Sequence, residues 1–241
     1  KQSAAHLRNV HRLFDIPTEV VGSPRFGPYF DKKKVINPKV SLDSGNMVDL
    51  KNRKYVLVAG TGDGIDDEML VKSVQSCIET LRIDSNNILI VYRPHPMTRT
   101  KIEFTKLQRQ IKNLLIDSGP NSRDFGHHNA LVKNASVTVN HFSTLAIESL
   151  IAGVPSVIPL FLGREDANYR YSHILSEWHH MMGLALIPKI FTPNTNEEFE
   201  KLLKSILTNP MKLQSVPIDW ICAPGPYTEK VVSAIRKNSS K

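Results

Sequence analysis

An α/β fold, a parallel sheet with helices on both faces, is predicted by three features of this 241-residue chain. Apolar, β-branched runs (Tyr55 to Ala59, Asn87 to Tyr92, Ala135 to Asn140, Pro155 to Leu160) recur from Lys54 onward. Between them lie segments whose apolar residues repeat at helical spacing. Glycine, proline and small polar residues gather where the runs end, the place at which such sheets hold ligands.

The chain is long enough for one large or two small domains and for a sizeable core. Before Lys54 the pattern is different. Lys1 to Phe14 reads as a helix with Ala5, Leu7, Val10, Leu13 and Phe14 on one face, and Ile16 to Val21 as an extended segment, followed by a turn over Gly22 to Phe26. One helix and one strand with no sheet to join suggest that residues 1–26 are the remnant of a preceding domain. Residues 27–50 are polar, with Pro28, Pro38 and Lys32 to Lys34, and show no sustained period, so they read as a linker. The remaining residues, 51–241, form the predicted sheet domain.

Within it, Tyr55 to Ala59 is a buried strand, and Gly60-Thr61-Gly62-Asp63-Gly64 a glycine-rich loop that lets backbone approach a ligand. Its spacing falls short of the dinucleotide fingerprint. Asp66, Asp67 and Glu68 open a helix to about Leu81, where acidic residues suit the positive dipole end. Asn87 to Tyr92 runs directly into Arg93-Pro94-His95-Pro96, whose two prolines fix the histidine's backbone at a strand end. Arg93 offers a fork for phosphate, and His95 a proton carrier near neutral pH. A helix over 101–112, a strand over 114–117 and a short helix over 129–133 lead into the Ala135 to Asn140 strand.

The next stretch, His141 to Pro155, is HFSTLAIESLIAGVP. Ser143 or Thr144 stands where an N-cap belongs, and Gly153 followed by Pro155 ends the helix. A helix opening just after a strand aims free N–H groups and its dipole at the sheet's carboxyl edge, which suits a phosphate. Glu148 is the one carboxylate in an otherwise apolar helix, where it could accept two hydrogen bonds from a ribose diol. Beyond the Pro155 to Leu160 strand, Phe161 to Tyr171 is a charged loop in which Glu165, Asp166 and Asn168 could meet a sugar. Helices over 173–182, 196–207 and 227–236 and a strand over 184–188 complete the reading.

Hydrophobic content of 41% and charged content of 22% are those of an ordinary globular chain. The net charge of +8 fits an anionic partner. Nucleic acid is not the expected one, since aromatic residues are 7% and no RNA-binding or zinc-finger pattern is present. Cys77 and Cys222 lie far apart and outside any metal spacing, which points to reduced thiols in the cytoplasm. The pairs His127-His128 and His179-His180 likewise lack a metal template, so no metal or other cofactor is expected. The longest apolar region, Leu145 to Leu162, is broken by Glu148, Gly153, Pro155 and Pro159, so membrane contact would be peripheral at most, at the inner face.

The succession of a glycine-rich loop, RPHP, and HFST followed by Glu148 and Gly153-Val154-Pro155 resembles the C-terminal, nucleotide-sugar half of a glycosyltransferase-B (GT-B) enzyme. It is similar above all to bacterial surface-polysaccharide enzymes, the CMP-sugar sialyl- and Kdo-transferases and the CDP-glycerol glycerophosphotransferases. The UDP-N-acetylglucosamine 2-epimerases share the fold and a similar Glu and Gly-x-Pro ending. The resemblance implies a Rossmann-like domain in which His95 contacts the donor phosphate and protonates the leaving nucleotide. Arg93, Gly62, Ser143 and Thr144 would bind that phosphate, Glu148 the ribose, and Asp63 would stand as a poor substitute for the general base. The implied partners are a nucleotide-sugar donor, a glycan or lipid-linked acceptor, and a missing N-terminal domain or partner chain. A non-catalytic nucleotide-binding module is the further alternative.

Overall fold

The computed structural model describes residues 12, 18–30, 37–42, 44–60, 67–81, 87–95, 103–118, 125–141, 143–161, 186–209 and 225–239. The helix expected over 173–182 and, except for Arg12, that over 1–14 lie outside these residues, as does Cys222.

A 3-10 turn (Pro24–Phe26) and α1 (Gly27–Phe30) come first, then β1 (Lys39–Ser41) and β2 (Met47–Asp49). These two strands pair antiparallel, so the stretch read as a linker holds a hairpin. Each strand is only three residues long, too short to show alternation in sequence. The expected extended segment before Gly22 carries no regular element over Thr18–Val21.

Alternation of strand and helix then follows: β3 (Lys54–Ala59), α2 (Asp67–Thr80), β4 (Ile88–Arg93), α3 (Glu103–Gln110), β5 (Leu114–Ile116), α4 (Phe125–Asn134) and β6 (Val137–Asn140). It continues with α5 (Thr144–Ala152), β7 (Ser156–Val157), β8 (Ile190–Phe191), α6 (Asn196–Thr208) and α7 (Tyr227–Ser239).

The six later strands form one parallel sheet in the order β5-β4-β3-β6-β7-β8. The chain grows outward from β3 to β5, then returns to start β6 on the other side of β3. This reversal is the topological switch point of a doubly wound sheet. Strand apolarity follows from burial on both faces. Val56, Val58, Ile90, Tyr92, Val137 and Val139 share a cluster with Leu70, Val74 and Ile78 of α2, Leu107 of α3, and Phe199 and Leu203 of α6. The intervening side chains, Tyr55, Leu57, Leu89 and Val91, pack with Leu131 and Val132 of α4 and Leu145 of α5. Tyr55 keeps its buried hydroxyl satisfied by donating to the Leu131 carbonyl at 2.6 Å. Cys77 is core, as its place on the apolar face of α2 predicts, and burial pushes its thiol up to about 11.

Two strand boundaries differ from the sequence reading. The run over 155–160 is assigned as strand only at Ser156–Val157, yet Ile158 N–H and Leu160 N–H still donate to Phe191 and Pro193 carbonyls at 2.8 and 2.9 Å. Pro159, alternating with them, faces β6 and has no N–H to donate to it, which ends that ladder. The strand expected over 184–188 begins instead at Ile190, after a turn over 186–189 in which Lys189 takes φ 97°.

Helix α5 is built as its sequence prescribes. Ser143 is the N-cap, its hydroxyl accepting from Leu145 N–H at 3.2 Å. Gly153 takes φ 77° and donates to Leu150 O at 3.0 Å, while Val154 N–H reaches Ser149 O at 2.9 Å. That pair of bonds is a Schellman ending, and the left-handed residue in it favours glycine.

Candidate active site

Register decides what the sheet brings together. Ala59 is the partner of Arg93 on one side and of Asn140 on the other. Strands β3, β4 and β6 therefore finish level, and Gly60, Pro94 and His141 begin their loops side by side at the carboxyl edge. This is the crevice in which doubly wound sheets take ligands. The loops are joined to each other: Gly60 N–H donates to Arg93 O at 3.0 Å.

Space at Gly60 is closed. A Cβ there would stand 2.5 Å from Asp67 Oδ2, 2.8 Å from Tyr92 Oη and 3.0 Å from the His95 backbone nitrogen. Asp67, expected only to cap α2, is buried and accepts a hydrogen bond from Tyr92 Oη at 2.8 Å. Gly60→Ala should force this pair and the His95 backbone apart and lower stability by about 1–3 kcal/mol, the range for overpacking. Urea unfolding checks it; an unchanged midpoint would mean that the loop moves aside freely.

The α5 end of the crevice is prepared by a buried polar layer. Asn140 Nδ2 donates to Ser156 Oγ at 2.8 Å, and its Oδ1 accepts from the capping Ser143 hydroxyl at 3.4 Å. Thr138 Oγ1 and Ser149 Oγ lie 2.8 Å apart, and Ser149 also donates to Leu145 O at 2.8 Å. Helix α5 is thereby fixed to β6 and β7 through Thr138, Asn140, Ser149 and Ser156, all fully buried, and the half-buried Ser143. Thr144, by contrast, is exposed at the helix's first position.

Two buried carboxylates lie beneath these loops, and each holds an arginine and a histidine. Asp117, just past β5, is paired with the Arg93 guanidinium. Its two oxygens each lie 3.1 Å from His127 Nε2, and Oδ1 accepts from Ser41 N–H at 3.1 Å. Arg93, in which the sequence suggested a fork for phosphate, thus has its Nη1 on a protein carboxylate. Burial alone would raise the Asp117 carboxyl, but His127, Arg93 and the Ser41 N–H outweigh it and hold it below the usual range.

Glu148 is the second. Its Oε1 lies 2.5 Å from Arg25 Nε, and its Oε2 lies 2.8 Å from Tyr29 Oη and 2.6 Å from His128 Nε2. The carboxylate, expected to meet a ribose, is fully buried and both its oxygens have protein partners. Burial would raise this carboxyl too, and the contacts with His128, Arg25 and Tyr29 again hold it low. Burial and the neighbouring Glu148 charge push the Tyr29 hydroxyl well above its ordinary value. Lys133 secures the same segment, donating to Pro28 O at 2.9 Å.

His127 and His128, adjacent in the first turn of α4, each face a different carboxylate, which is how a pair that matches no metal template is used. No group of three or more His, Cys, Asp or Glu residues with metal-binding geometry occurs among the described residues. Of the expected site residues, Arg93, His95, Ser143, Thr144 and Glu148 come to the carboxyl edge of β4 and β6. Gly62, Asp63, Glu165, Asp166 and Asn168 lie outside the described residues. Arg25, Tyr29, Asp67, Asp117 and Asn140 were not singled out as site residues by sequence, because their partners are distant in the chain. No described helix is long and apolar enough to cross a membrane.

No family model and no curated protein matches the chain. Among solved structures, a putative UDP-N-acetylglucosamine 2-epimerase from Listeria monocytogenes is similar at 11% identity over 91% of this chain and 53% of its own, with a TM-score of 0.53. The UDP-GlcNAc 2-epimerase of Methanocaldococcus jannaschii is similar at 15% identity over 77% of this chain and 45% of its own, with a TM-score of 0.47. An α,α-trehalose 6-phosphate synthase from Burkholderia multivorans is similar at 10% identity over 78% and 40%, with a TM-score of 0.48. The chain spans about half the length of these structures. At such identities the likeness is one of fold, and that to the Listeria protein agrees with the strand order: an α/β fold with a parallel sheet flanked by helices, consistent with a Rossmann-like domain of the GT-B kind.

Proposed function

We propose that this chain is the nucleotide-sugar-binding half of a GT-B-type enzyme and takes the phosphates of its ligand at the switch point between β3 and β6. The observation that supports this most is the level ending of β3, β4 and β6, which sets the Gly60 loop, His95 and the Ser143-capped end of α5 around one crevice. Backbone N–H groups and a helix dipole there favour an anion without a metal. His95, half-buried and fixed between Pro94 and Pro96, would contact the phosphate and pass a proton to it.

Two reactions suit such a half. In one, a sugar or glycerophosphate passes from a CMP- or CDP-linked donor to a surface glycan acceptor, with the nucleotide leaving on the phosphate that His95 meets. In the other, a UDP-N-acetylglucosamine 2-epimerase-like isomerisation, the nucleotide is likewise held at this edge. The fold likeness to the Listeria protein, over 91% of this chain, favours the second. Calorimetric titration with UDP, UDP-N-acetylglucosamine, CMP, CDP and GDP distinguishes them, since uridine nucleotides should bind selectively under the isomerase reading and cytidine nucleotides under the transferase reading. His95→Ala should weaken the preferred nucleotide about tenfold, the value of one charge-assisted hydrogen bond. Absence of binding by every nucleotide would overturn the reading and leave a Rossmann-like domain with another ligand.

A further inference from the structure

Arg25 lies outside every motif, on the 3-10 turn between Pro24 and Phe26, and the structure gives it an unusual setting. Its Nε is 2.5 Å from the fully buried Glu148 Oε1, yet its side chain is 41% exposed. The bond to the buried oxygen is made at Nε, which leaves the two terminal nitrogens, with four of the five N–H donors, for other partners. Among the described residues these nitrogens have no partner. The side chain is therefore anchored at its root and open at its fork.

Topology places Arg25 in the fold. Glu148 is five positions after the Ser143 N-cap, about 7 Å along the helix from it. His128, on the other Glu148 oxygen, is in the first turn of α4. Both helices begin at the carboxyl edge of the sheet, so Arg25 stands on the same rim as the crevice, beside two helix N-termini. Arginine is the side chain that meets phosphate oxygens two at a time, and a pinned guanidinium loses less freedom in doing so than a loose one.

We propose, resting on the nucleotide reading above, that Arg25 is a phosphate-binding residue of this site and that Glu148 is its positioning residue. On this assignment the carboxylate orients a guanidinium for the diphosphate instead of meeting the ribose itself. The site then takes a cation from the segment before the sheet domain, in addition to Arg93, whose Nη1 is paired with Asp117.

The test compares ligands with and without phosphate on the whole 241-residue chain. UDP, CDP and inorganic pyrophosphate are titrated by calorimetry, and uridine and cytidine by saturation-transfer NMR, on the parent, Arg25→Ala and Arg25→Lys. Arg25→Ala should weaken the diphosphates and pyrophosphate tenfold or more while leaving the nucleosides unchanged. Arg25→Lys, which retains the ion pair with Glu148 but has no fork, should fall between. If both variants bind the diphosphates as the parent does, or if the nucleosides weaken in step with them, Arg25 is structural and the proposal fails while nucleotide binding stands. Arg25-dependent binding of pyrophosphate by a chain that takes no nucleotide would keep the anion role and overturn the nucleotide reading. A parent chain that binds none of the ligands overturns both.

Discussion

Asp117→Ala should lower stability more than Glu148→Ala, although both carboxylates are fully buried and each holds one arginine and one histidine. The difference lies in what each arginine can do once abandoned. Arg93 is only 11% exposed and would be left as a buried charge with its main partner gone. Breaking such a pair from one side typically costs about 3–5 kcal/mol. Arg25 is 41% exposed and can swing its guanidinium into water, so Glu148→Ala loses chiefly the buried Tyr29 hydroxyl's partner and the His128 contact. That amounts to about 2–3 kcal/mol. Urea unfolding of the two variants gives the comparison directly. Equal losses would show that exposure of the arginine does not set the cost, and a smaller loss at Asp117 would reverse the argument.

Acid should destabilise the domain in two stages. Burial pushes His141 down to about 4, and the residue is almost wholly enclosed. In the unfolded chain it takes up its proton near its ordinary value of about 6.5. Between these values the unfolded state binds more protons than the folded one, so stability is complete above about pH 6.5 and falls as the pH drops toward 4. The loss is about 3 kcal/mol, from roughly 1.4 kcal/mol per pH unit. Asp117 and Glu148 act in a lower window: their carboxyls are held below the usual range in the folded state, so their contribution is present above about pH 4 and is lost as the pH falls further. Melting temperature against pH separates the stages when the parent is compared with His141→Asn. The variant should lose the upper stage and keep the lower. A parent whose melting temperature is flat from pH 7 to 5 would show that His141 is protonated in place.

The parts of the fold that were legible in sequence are those with enough residues to carry a pattern. Strands β3 and β4 are six residues long and apolar but for Lys54 and Arg93, and the caps of α5 follow from Ser143 and Gly153. The hairpin of β1 and β2 was hidden because three-residue strands contain no period. At the site, the position of each motif could be read, since a strand end is visible as the place where an apolar run stops. The occupants of each side chain could not. Glu148 meets Arg25 and Tyr29, which precede it by 123 and 119 residues, and nothing local to either end marks the contact. Asp117 read only as the last residue of a strand, and Arg93 as a free fork, because the bond between them depends on β5 lying next to β4. The His127-His128 pair was visible, but the template applied to it was that of a metal site, whereas neighbouring positions on a helix diverge by about 100° and so face different partners.

The outermost strands of the described sheet, β5 and β8, have three and two residues. Past the end of β5, Ser118 turns inward, its N–H and hydroxyl both donating to Ser41 O of the hairpin at 2.7 Å. A parallel sheet has its free backbone groups at its two margins, and long flat margins recruit strands from other molecules. Here the margins are too brief to template such an addition, and one is tied back to the hairpin. Among the described residues the sheet therefore offers little free edge for a further strand to join.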